Sequence, residues 1–131
     1  MSVAKEWLKA AQDDLILLED IKNNTHITNL IAFHSQQAIE KALKALLEHQ
    51  HKKVPRTHKL QQLVDVAEIE VNDTLIQILD ELYIDARYPS ELGLLPAGKP
   101  SIEDAREFYE FAVQVFNRVC TLVGLEEDDL L

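Results

Sequence analysis

The chain has 131 residues and a mass of 15.0 kDa, enough for one domain and too little for two separate cores. Apolar residues make up 47% of it, with only 3 glycines and 4 prolines, which excludes a low-complexity or disordered polymer and disfavours a turn-dense β architecture. A formal net charge of −10 argues against a general nucleic-acid coat, because affinity for a phosphate backbone comes from Lys and Arg.

The single cysteine, Cys120, can close no internal disulfide and supplies no metal-binding pair, as expected of a reducing compartment. The N-terminus, MSVAKEW, lacks an apolar signal region, and no window approaches ~18 uninterrupted apolar residues. The expectation is a cytoplasmic protein with no membrane span.

The first periodic segment, residues 2–22, places Trp7, Leu8, Ala11, Leu15, Leu18 and Ile21 on one face at helical spacing. Asp14 points into the middle of that apolar stripe, where a carboxylate needs a partner. Asn23, Asn24 and Thr25 interrupt the pattern, and Thr25 is the expected N-cap of a second helix running to His49. Ile27, Ile31, Ala38, Ala42, Ala45 and Leu46 form its core stripe. Beside that stripe His34, Gln37, Lys41, Lys44 and Glu48 recur at steps of three and four, so they share one polar strip.

Pro55 ends a basic loop. A short helix is predicted from Thr57, with Leu60, Leu63, Val64 and Ala67 inward, and Asn72 or Asp73 caps a fourth that carries Leu75, Ile78, Leu79, Leu82 and Ala86. Arg87 lies at the edge of that stripe, within reach of Asp14, Asp80 or Asp85. Residues 88–100 hold three of the four prolines and read as a long surface loop. Ser101 caps the last helix, whose inner face is Ala105, Phe108, Ala112, Val115, Phe116, Val119 and Val123, and Gly124 stops it. The domain is therefore placed at residues 1–124, followed by an acidic, frayed tail at 125–131. Five helices with short to moderate connections predict an all-α, up-and-down antiparallel bundle. Ile16, on the outer face of the first helix, suggests a homodimer surface.

Charge is unevenly spread. From Lys41 to Lys59 six basic residues face one acid, giving +5 against −15 for the remainder. No HExxH or paired-cysteine spacing supports a metal, and no G-x-S-x-G, P-loop or G-x-G-x-x-G is present. What remains is His34, Gln37, Lys41, Lys44, Arg56, His58, Asp14 and Arg87, a set that makes an anion-binding cleft credible.

The stretch from Ala32 to Leu47, AFHSQQAIEKALKALL, followed by Pro55-Arg56-Thr57-His58-Lys59-Leu60 and Ala86-Arg87-Tyr88-Pro89, resembles the HEPN domain of prokaryotes, and the likeness runs from about Trp7 to Val123. The resemblance implies a helical bundle similar to the helical domain of kanamycin nucleotidyltransferase, commonly a homodimer. It further implies a partner, a minimal nucleotidyltransferase, in a two-part, toxin–antitoxin-like system. Some members are metal-independent ribonucleases that use an Arg followed four to six residues later by His. This chain departs from that pattern: Arg87 is followed by Tyr88, Pro89, Ser90, Glu91, Leu92 and Gly93, and no other Arg has His at that offset.

The expected function is accordingly a nucleotide-binding or partner module using Lys41, Lys44, Arg56, His58 and Arg87, supported by Asp14, Gln37 and Tyr88, with no cofactor or metal. The alternative is a rewired ribonuclease with His34, His58 and Arg87 as candidate catalytic groups acting on RNA.

Overall fold

The computed structural model describes residues 2–87 and 99–131, with side chains described at all of these positions except 84–87 and 127. Its elements are α1 (Val3–Ile21), α2 (Thr28–His49), α3 (Leu60–Ala67), α4 (Asp73–Arg87) and α5 (Ile102–Val123), closed by a 3₁₀ turn at Glu127–Leu130. No strand occurs among the described residues, and the bundle is the all-α architecture that the helical periodicities predict. No described helix is long and apolar enough to cross a membrane.

The helix boundaries follow local chemistry. Ser2 and Ser101 cap α1 and α5 by accepting the N–H groups of Lys5 and Asp104, and the Asn72 side chain does the same for Leu75 at the start of α4. Gly124 ends α5 with φ +82°, the left-handed region that favours glycine. The second helix departs from expectation, because Thr25 does not cap it. Asn24 instead accepts the His26 N–H in a local turn at 3.0 Å, and α2 starts three residues later with no side-chain cap.

Helix α2 is the spine of the molecule, touching each of the other four helices. The sequence shows one core stripe, yet Ile39, Leu43 and Leu47 are also fully buried, so α2 is apolar around most of its circumference. That is the signature of a helix enclosed on several sides. Alanines 38, 42 and 45 let α1 and α5 approach closely, and Leu8, Phe108, Phe111, Phe116 and Val119 fill the space between. Burial, reinforced by the hydrogen bond that Tyr109 of α5 donates to Glu19 of α1 at 2.5 Å, pushes the Tyr109 phenol up to about 12.

The residues expected as a frayed tail fold back against α1 in this structure. Glu126 and Asp129 cap each other's backbone reciprocally, and Leu130, only 3% exposed, belongs to the main core.

Candidate functional site

Two buried carboxylates organise the polar side of α2. Asp14, 8% exposed, receives the Lys41 ammonium at 2.7 Å on one oxygen and the His34 ring nitrogen Nδ1 at 3.0 Å on the other. Thus the partner that Asp14 requires comes from α2, where His34 and Lys41 lie two turns apart on one face. A carboxylate only accepts, so Nδ1 carries the proton and Nε2 sits on the far edge of a ring that remains part-exposed.

Glu40, 4% exposed, repeats the arrangement four residues before Lys44. Its oxygens take the Lys44 ammonium at 2.9 Å and Nδ1 of His58 at 3.0 Å. The Lys44 ammonium also lies 5.3 Å from the centre of the Trp7 ring, in cation–π geometry. Gln36 donates to the His58 backbone carbonyl at 2.8 Å and accepts from Gln37 at 2.7 Å, which fixes the loop against the helix. Each clamp therefore joins one carboxylate, one lysine and one histidine, and in both the imidazole stays partly exposed.

This geometry revises the reading of the basic segment. Lys44, expected on a solvated strip as a point charge for phosphate, is buried against Trp7 and neutralised by Glu40. Lys41 is held by Asp14, and Lys52 donates to the Val66 carbonyl at 2.7 Å. Half of the six basic residues thus turn inward, while Lys53, Arg56 and Lys59 are exposed on the α2–α3 connection. Gln37 serves the Gln36 network.

Arg87 is the last residue of α4, but its side chain lies outside the described residues, as do Tyr88 and the rest of the expected 88–100 loop up to residue 98. Of the three carboxylates expected within reach of Arg87, the Asp85 side chain lies outside the described residues, and the other two have described partners. Asp14 has His34 and Lys41, and Asp80 accepts the backbone N–H groups of Leu60 and Gln61 at 2.7 and 3.1 Å. Burial holds the Asp80 carboxyl above its ordinary 3.8, and the two backbone bonds offset only part of that effect.

Glu40 and Gln36 escape the sequence reading. The available signal was the run Gln36, Glu40, Lys44 at steps of four, flanked by Ile39, Leu43 and Leu47, which places charges inside an apolar arc. Among the described residues no group of three or more His, Cys, Asp or Glu is arranged to hold a metal.

Fold and site together define a small all-α bundle domain in which two histidines, His34 on the central helix and His58 on the connection after it, are each anchored by a buried carboxylate. The sequence profile of the HEPN domain matches residues 4–123, and the chain belongs to that family. The crystal structure of an archaeal HEPN homologue is similar to it with a TM-score of 0.71 and 28% identity, over 94% of this chain and 99% of that one. No curated protein matches the chain.

Proposed function

We propose that this HEPN-domain protein binds the phosphates of a nucleotide or RNA on the His34–His58 face, as the nucleotide-binding or partner module of a nucleotidyltransferase two-part system, and acts as a homodimer. The observation that carries the reading is the pair of imidazoles, each fixed through Nδ1 by a buried carboxylate while its ring stays partly exposed, 28% for His34 and 47% for His58. Arg56, exposed two residues before His58, supplies cationic character in this reading, and Arg87, the last residue of α4, is the candidate bidentate fork. Lys44 holds Glu40 in place rather than meeting ligand. Ile16, 57% exposed on α1, supports an apolar contact between two copies.

The anchored imidazoles also support the second reading, a metal-independent ribonuclease with His34 and His58 exchanging protons at the ribose hydroxyl and leaving group. One experiment separates the two. Calorimetric titration with tripolyphosphate, ATP, GTP and a short RNA, run in EDTA with the RNA recovered afterwards, should show binding without cleavage. An Arg56→Gln/His58→Gln variant should bind at least tenfold more weakly. Unchanged binding in that variant rejects the phosphate face, and cleaved RNA installs the ribonuclease in its place.

A further inference from the structure

A groove of about 350 Å³ runs between α1 and α5, and none of the residues of the two histidine clamps lines it. The helices are antiparallel here, because Tyr109 donates to Glu19 at 2.5 Å and Arg106, one turn earlier on α5, donates to Asn23 at 2.8 Å. The Tyr109–Glu19 pair closes one end. Beyond it the walls are Leu15 and Ile16 on α1 and Val113 and Phe116 on α5, and past these the carboxamides of Gln12 and Asn117 are contributed by opposite helices.

Gln12 is the unusual member. It is only 7% exposed, yet its carboxamide makes no hydrogen bond to any described residue. Its nitrogen and oxygen are not sealed, in contrast to the unpaired oxygens of Asn29 and Gln50, so the amide opens onto the groove that Gln12 lines. The side chain of Asn117 likewise has no hydrogen bond among the described residues. A carboxamide set this deep in an apolar wall calls for an occupant that supplies both a donor and an acceptor. An extended peptide does so at every residue, whereas a helix has already paired its main-chain groups internally. The volume is at the lower end of the small-ligand range of about 300–1,000 Å³, which takes one apolar side chain with its flanking peptide units and not a helix about 10 Å across. Charge narrows the partner further. Asp13 and Asp20, three and four positions from Ile16, and Glu110, three from Val113, are exposed along the lips against one lysine, Lys9.

We propose that the α1–α5 groove docks an extended segment of a partner protein. An apolar side chain of that segment lies on Leu15 and Phe116, its peptide N–H and C=O groups pair with the carboxamides of Gln12 and Asn117, and basic residues flank the anchor to meet the acidic lips. The proposal is independent of the phosphate-binding reading above. Ile16 stands on one lip, so a copy-to-copy contact through it would compete with the peptide, and the two occupants are separable by dilution.

The test is an NMR titration of the nitrogen-15-labelled full chain with three blocked peptides: acetyl-Lys-Leu-Lys-N-methylamide, its Glu-Leu-Glu counterpart, and the Lys-Leu-Lys peptide carrying an N-methyl group on the leucine nitrogen. With the first peptide the side-chain NH₂ signals of Gln12 and Asn117 should move together. The N-methylated peptide, equal in charge and lacking one main-chain donor, should bind roughly tenfold more weakly, as should the acidic one. Gln12→Leu supplies the control for folding. It replaces an unpaired amide with an apolar side chain of similar size, so it should melt no lower than wild type while losing roughly tenfold in affinity for the first peptide. A variant that melts well below wild type makes Gln12 a structural residue and overturns the proposal. Equal binding of the N-methylated peptide, or peptide-induced shifts that bypass Gln12 and Asn117, overturns the main-chain pairing, and equal binding of the acidic peptide overturns the basic partner. Carboxamide signals that move on dilution of the protein alone and not with peptide assign the groove to a second copy and overturn the proposal as well.

Discussion

Glu40 sits between the Lys44 ammonium and the His58 ring with only 4% of its surface exposed, and Lys44 is 8% exposed beneath Trp7. A buried pair of this kind is weak evidence for stability as a unit, but breaking it strands a charge. Glu40→Ala should therefore destabilise the protein by about 3–5 kcal/mol, because the Lys44 ammonium would stay under the indole with no counter-charge. Glu40→Ala combined with Lys44→Met should recover at least half of the loss. Urea denaturation of the single and double variants checks this, and a single-variant loss below about 1 kcal/mol would mean that water reaches the pair. The contrast with Asp14 explains what residues reveal in sequence. Asp14 is legible because its neighbours at three and four positions are all apolar, so a lone carboxylate stands out. Glu40 has Gln36 and Lys44 as its i±4 neighbours and imitates a surface pair. Its partner His58 lies 18 positions after it, and Trp7, which covers its other partner Lys44, lies 33 before it, distances that local spacing does not report.

At the scale of elements, α3 is the clearest case of one helix completed by another. Its N-cap residue, Lys59, makes no side-chain cap bond, and the first N–H groups are satisfied by Asp80 from the middle of α4. Asp80→Ala should cost about 1–2 kcal/mol, the usual worth of a capping oxygen, and should loosen the α2–α3 connection that carries Arg56 and His58. The pH dependence has a definite sign. A carboxyl whose folded-state value is raised binds its proton more tightly in the native state, so its contribution is fully present below 3.8 and is lost as pH rises through the higher native value. The stability of wild type relative to Asp80→Asn should thus decline as pH rises from about 3.8, read from paired thermal melts across that range. A constant difference would place Asp80 in water. The same cap marks the limit of sequence reading for elements. Ser101, Asn72 and Gly124 announce their helix ends through their own side chains or backbone, whereas α3 is capped from 20 positions away and α2 begins without a side-chain cap at all.

For the whole molecule the informative segment is the acidic end of the chain, because composition and packing disagree there. Glu126, Asp128 and Asp129 suggest a solvated tail beyond Gly124, and the charge pattern is real: Asp128 and Asp129 face solvent. Yet Leu125 packs against the core and Leu130 enters it, bringing the 3₁₀ turn against α1. Two leucines separated by four consecutive acids carry no periodicity that identifies a docked turn, which is why sequence alone places the boundary at 124. Energetically the two readings differ by a measurable amount. Complete burial of a leucine side chain contributes about 1.5–3 kcal/mol, and the chain end must be ordered to achieve it, so a net contribution of about 2 kcal/mol is expected from residues 125–131. In a domain of this size that corresponds to a fall in Tm of roughly 5–10 °C for a chain ending at Gly124. Leu130→Ser in the full-length chain should reproduce most of the fall, since it removes the anchor and keeps every charge. Scanning calorimetry of the three proteins decides the matter. A truncated chain that melts with the wild type restores the boundary at Gly124, whereas matching losses in truncation and Leu130→Ser extend the cooperative unit of the bundle to the end of this sequence.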